Sequence, residues 1–171
     1  MPAYRVEAIA NEFVKRAQAE GRALTNMQLQ KLPYIAHGWG LALTGSDLVS
    51  EEPRAFPYGP VYRGLYDALK RYGAGQVKDF IHEGDGAAAF GFDGERGEII
   101  AADLSEGDKR LLDAVWDAYK NFSAYKLSEM THQEDSPWTI TTKEKGLYQP
   151  ISKELILKHF NDLLQRRRAT A

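Results

Sequence analysis

The stretch "ALTNMQLQ", residues 23–30, fixes one element of the fold almost by itself. Thr25 is followed three residues later by Gln28, the spacing at which the threonine hydroxyl accepts the backbone N–H of residue 28 and the glutamine amide reaches back to the N-cap. Leu24 and Leu29 occupy the positions of a hydrophobic staple, so a helix begins at Thr25 on two independent grounds. Its apolar stripe is Leu29, Leu32, Ala36, Trp39 and Leu43, and Gly45 is placed to stop it. Pro33 lies inside the stripe and predicts a kink, because proline removes one backbone hydrogen bond and crowds the preceding turn.

Similar patterns recur along the chain. Val6, Ile9, Phe13 and Ala17 predict an amphipathic helix ended by Gly21. Ser105 with Asp108 starts another, whose inner face is Leu112, Val115, Trp116 and Tyr119. Ser123 caps a short helix through Leu127 and Met130 to about His132; Ser136, Pro137 and Trp138 break it, and an irregular stretch follows. Ser152 begins a last helix with Ile156, Phe160, Leu163 and Leu164 inward. Residues 48–56 read as extended, and Pro60 suits the first position of a helix that buries Val61, Leu65, Ala68, Leu69 and Tyr72 before Gly73 closes it. Residues 73–103 hold most of the glycine and predict a small hairpin around Asp93 to Gly97. The expected fold is mainly α (α+β): a single compact helical domain over residues 1–171, with a small β-hairpin element and a basic tail over residues 165–171.

A chain of 171 residues with 43% hydrophobic content supports one continuous core. Its 22 Lys plus Arg against 24 Asp plus Glu give a net charge of −2, so no global field draws it to nucleic acid or to an anionic membrane. It has no cysteine, which excludes a disulfide framework, a zinc–thiolate site and a thiol nucleophile. The opening "MPAYRVEAIANEF" carries Glu7 and Glu12 and reads as neither a signal peptide nor a membrane span; a cytoplasmic, soluble protein is expected. His37, His82, His132 and His159 are scattered singly and predict no metal site, and phosphate-cradling glycine patterns are missing, so no cofactor is expected.

Two stretches bear on chemistry. In "AFPYGPVY", residues 55–62, the rings of Phe56, Tyr58 and Tyr62 either pack an extended segment onto the helices or line a groove for a partner, while Arg63 and Tyr66 fall at the edge of the apolar stripe and point to surface contact. In "THQEDSPW", His132 with Glu134 and Asp135 resembles a general base with its carboxylate, yet no nucleophile or metal accompanies it; capping its helix or bonding to the "SPW" turn is the structural role open to it. Ser128, four residues earlier, can share a helix face with it. Arg166, Arg167 and Arg168 form a charge run at a helix end, read as a solvated tail.

Three stretches in order, "LTNMQLQKLPYIAHGW", "EEPRAFPYGPVYRGLY" and "YKLSEMTHQEDSPW", resemble the Panacea domain, the family of SocA-like and phage-associated proteins, over about residues 5–160. The chain departs from the family pattern at Pro33, where leucine is usual, and at Phe56, where tryptophan is usual. The resemblance implies an antitoxin: a protein that binds and neutralises a cognate toxin, with a protease or chaperone system as a second partner. Many members of that family also carry a separate DNA-binding domain, for which 171 residues are expected to leave no room. The tentative partner-contacting residues are Tyr58, Tyr62, Arg63, Tyr66, His132 and Trp138. The alternative is a metal-independent hydrolase using His132 and Glu134.

Overall fold

A 19-residue helix, α2 (Asn26–Thr44), runs through the middle of the molecule and is buried without interruption from Leu29 to Leu41. The computed structural model describes residues 3–91 and 94–170. Thr25 and Gln28 form the full capping box, and Gly45 ends the helix at φ 74°, in the left-handed region that glycine enters at no steric cost. Pro33 is buried inside α2 without ending it. The stripe extends less far than its pattern suggests, since Leu43 is exposed.

Around α2 pack α1 (Val6–Ala19), α3 (Arg63–Leu69), α5 (Glu106–Tyr119), α6 (Ala124–Thr131) and α8 (Lys153–Thr170). A four-residue helix α4 (Asp85–Ala88) lies against α3, and α7 (Pro137–Lys145) leads towards α8. Ser105, Ser123 and Ser136 each accept a backbone N–H three residues on, as N-caps should. The last of these corrects the irregular stretch expected after residue 136: Ser136 caps α7 and Pro137 opens it, so the residues that end one helix start the next.

The β structure is two short antiparallel pairs, β1 (Leu24–Thr25) with β4 (Gln76–Val77) and β2 (Arg54–Phe56) with β3 (Gly59–Val61). The described hairpin therefore lies at "RAFPYGPV", and residues 94–97, the described part of the expected one, carry no strand. Asp93 is outside the described residues; the flanking chain carries α4 and one isolated bridge, His82 to Ile99. Asn11 of α1 anchors that segment through Ile81 N–H and the Ile81 and Ile100 carbonyls, at 2.8–2.9 Å. Pro60 consequently sits in β3 rather than at a helix start. The helix begins at Arg63, and Glu51 caps it by accepting the Gly64 N–H at 3.1 Å, a partner 13 residues away that no local pattern announces. One continuous apolar core joins α1, α2, α3, α5, α6 and α8, with Phe13, Leu29, Leu65 and Leu112 fully enclosed.

Candidate functional site: a clamped hairpin and its groove

Phe56 pairs with Gly59, so only Pro57 and Tyr58 turn the chain between β2 and β3. Gly59 adopts φ 114°, and a Cβ there would stand 2.7 Å from Lys31 Nζ and 2.9 Å from Thr131 Oγ1. Glycine is required both by the backbone and by this close approach. The turn is then held from below by side chains of three helices. Trp138 Nε1–H donates to the Phe56 carbonyl at 2.7 Å, the Ser128 hydroxyl to Tyr58 O at 3.2 Å and the Lys31 amine to Pro60 O at 3.0 Å, while His132 Nε2 lies 3.4 Å from Pro57 O. Four carbonyls within five residues thus meet side chains from α2, α6 and the start of α7 and its preceding turn. A hairpin this short has few ladder bonds of its own, and these contacts fix its shape.

His132 is the C-cap of α6: its Nδ1 lies 2.6 Å from the Ser128 carbonyl, and its ring packs against Trp138 at 4.1 Å between centroids, tilted by 50°. Both ring nitrogens face carbonyl oxygens, and the Ser128 hydroxyl is turned to Tyr58 O rather than to the imidazole. Glu134 and Asp135 are exposed, and Asp135 pairs with Arg166 at 3.8 Å. No nucleophile–base couple arises from these residues. Among the described residues there is no group of three or more His, Cys, Asp or Glu side chains that could hold a metal.

The sequence-predicted contact residues separate into two sets. Tyr58 is 71% exposed at the tip, Tyr66 is partly exposed, and Arg63 points outward while bonding Asp67 at 3.3 Å. Tyr62 is instead fully buried, edge-on to His37, and Phe56 is buried between Tyr66 and Tyr148 at 5.1–5.2 Å. Tyr62 follows β3 as the N-cap of α3, and the three strand residues before it are buried as well. Trp138 and His132 are half-buried and act on the hairpin from beneath.

Sequence reading missed Lys31, Gln30 and Tyr125. Lys31 is completely buried, and burial lowers its amine to a pKa of about 7. The signal was present: a lone lysine between Leu29, Leu32 and Pro33 on a helix whose apolar face is wider than one stripe. Lys31 and Gln30 lie on the floor of a groove of about 750 Å³ bounded by α2, the hairpin, α3 and α6. Tyr125, 78% exposed, forms its far wall.

The architecture is a mainly helical body that presents a braced turn beside an open groove. The family model "Antitoxin SocA-like, Panacea domain" matches residues 29–139, and the chain belongs to this family. It is 27% identical over 144 residues to a protein named Antitoxin SocA from Caulobacter vibrioides (strain NA1000 / CB15N), an alignment covering 81% of this chain and 71% of that one. No solved structure matches it. The matched region contains α2 from Leu29 onward, the hairpin, α6 and the start of α7, so every side chain that clamps the turn falls inside it.

Proposed function

We propose that this protein is the antitoxin of a toxin–antitoxin pair and neutralises its toxin by direct contact through the hairpin face, acting by binding rather than catalysis in the cytoplasm. The observation that supports this reading is the bracing of residues 56–60. Ordering a loop on binding costs affinity, and a turn whose carbonyls are already held meets its partner without that cost. Tyr58, Tyr66 and Arg63 supply aromatic and guanidinium groups of the kind that dominate protein interfaces. Tyr62, Trp138 and His132 then serve from below, as the packing that keeps this face in place.

The reading is tested by co-expression. The neighbouring reading frame should be toxic alone and harmless with this chain, and Tyr66→Ala and Arg63→Ala should each weaken binding to the purified toxin by about 1 kcal/mol or more. Unchanged binding in both variants would move the interface elsewhere. Delivery of the bound toxin to a protease, the second role implied by the resemblance, is separated in the same assay: neutralisation that persists in a protease-deficient host needs no delivery.

A further inference from the structure

A second recess, of about 240 Å³, lies between α2, the C-terminal end of α6 and α8. Along α8, His159, Leu163 and Arg166, with Phe160 and Arg167 beside them, follow one another at three- and four-residue spacing, so one side of the helix lines it. Trp39 of α2 and Tyr119 of α5 complete the wall. Arg166, Arg167 and Gln133 are exposed, and Met130, His159 and Leu163 half-buried, so a ligand entering from solvent meets each of them.

The protein fixes one cation at this recess without neutralising it. The Arg167 guanidinium sits 4.5 Å over the Trp39 ring, and its Nη2 donates to Tyr119 Oη at 3.4 Å. Held in this way, the side chain has little freedom left to lose when it binds an anion. Tyr119 is its one hydrogen-bond acceptor among the described residues, so most of the five N–H donors of the fork are free for a ligand. Arg166 adds a second positive charge at the mouth, where Asp135, itself exposed, stands 3.8 Å away. The lining contains no aspartate or glutamate, although acidic residues outnumber basic ones in the chain as a whole. The rest of it is mainly apolar, with Ile35, Met130, Phe160 and Leu163.

A fixed guanidinium beside an apolar recess selects a ligand that is anionic at one end and apolar at the other. A cavity of ~150 Å³ holds a benzene ring, so 240 Å³ has room for one such group and the carboxylate attached to it. The planar fork of arginine matches a carboxylate with two parallel hydrogen bonds. We propose that this recess binds a carboxylate carried on a single aromatic or branched aliphatic group, the carboxylate bonded to Arg167 beside Arg166 and the apolar group lying against Leu163 and Met130. A free organic acid and the last residue of a protein chain share this chemistry. The site goes beyond the antitoxin reading and involves neither the hairpin nor the groove beside it.

The experiment is titration of the isotope-labelled full chain with phenylacetate, followed by nuclear magnetic resonance. The Trp39 indole and the backbone of residues 159–167 should shift saturably. Acetate, which has the anion without the ring, and phenylacetamide, which has the ring without the anion, should each bind at least about tenfold more weakly. Arg167→Gln should weaken phenylacetate binding at least about tenfold, and so should Leu163→Trp, which fills the recess and leaves both arginines in place. The second variant keeps the test valid if loss of the Arg167 contacts unwinds the end of α8, which the Cα shifts of residues 160–170 would reveal. Glycylglycylphenylalanine and its C-terminal amide separate the two sources. Tighter binding of the free-acid tripeptide than of phenylacetate, lost in the amide, assigns the recess to a chain terminus; weaker binding assigns it to a free acid. No saturable shift with either acid, shifts confined to other surfaces, equal binding of acetate or phenylacetamide, or unchanged affinity in either folded variant would overturn the proposal. None of these outcomes touches the antitoxin reading, which stands or falls by co-expression.

Discussion

Lys31 is the residue whose chemistry departs furthest from its surroundings. Burial holds its amine at a pKa of about 7, against about 10.5 in an unfolded chain. Between those values the unfolded state binds a proton that the folded state does not, so stability rises with pH across this window, and the penalty is fully present below it. A methionine of similar reach carries no such penalty, but forgoes the hydrogen bond to Pro60 O, worth about 1 kcal/mol. Lys31→Met should therefore be more stable than wild type near pH 6.5, and its advantage should shrink by about 2 kcal/mol as the pH is raised to about 9. Urea unfolding of both proteins at the two pH values measures this, and an advantage independent of pH would mean that the amine is not protonated in the unfolded chain alone. The amine's one hydrogen bond, to Pro60 O, ties α2 to the hairpin.

Among the elements, the hairpin shows how one glycine is fixed by distant contacts. Gly59→Ala would place a methyl group against Lys31 Nζ and Thr131 Oγ1 at a φ of 114°, where side chains are strained whatever the space. A loss of about 2–4 kcal/mol is expected, with accelerated hydrogen exchange confined first to β2 and β3. A change below about 0.5 kcal/mol would show that the turn can relax without its clamps. The same element marks the limit of what the sequence discloses. Helix starts at Thr25, Ser105, Ser123 and Ser152 were legible because a cap and an apolar period are local signals. Pro60 misled because a proline fits both a helix's first turn and a strand, and the choice was made by Lys31, Ser128, His132 and Trp138 across up to 82 residues of chain. Tyr66 and Arg63 were legible as surface by their pattern; Tyr58 and Tyr62 were not told apart, because the hairpin that exposes the one and the tertiary packing that buries the other are not local signals. The groove was hidden for the same reason, being a property of three helices and a hairpin together.

The whole molecule depends on how closely α8 approaches α2, since a helix buried along most of its length needs neighbours on every side. Gly38 gives that approach: a Cβ built there would fall 2.1 Å from the Phe160 ring, which also meets Trp39 and Tyr34 edge-on at 5.3 and 6.1 Å. Arg167, one of the three arginines read from sequence as a solvated tail, lies instead over the Trp39 ring at 4.5 Å and donates to Tyr119 Oη at 3.4 Å, so the end of α8 is stitched to α2 and α5. Gly38→Ala should then displace Phe160 and cost about 1–3 kcal/mol, despite the higher helix propensity of alanine. If the cost comes from that ring, Phe160→Leu should absorb much of it, and the double variant should be more stable than the sum of the single losses by about 1 kcal/mol or more. Additive losses would instead place the strain within α2. A favourable coupling of that sign between residues 38 and 160 would place the cost in the contact between the Phe160 ring and α2, the close approach that Gly38 permits.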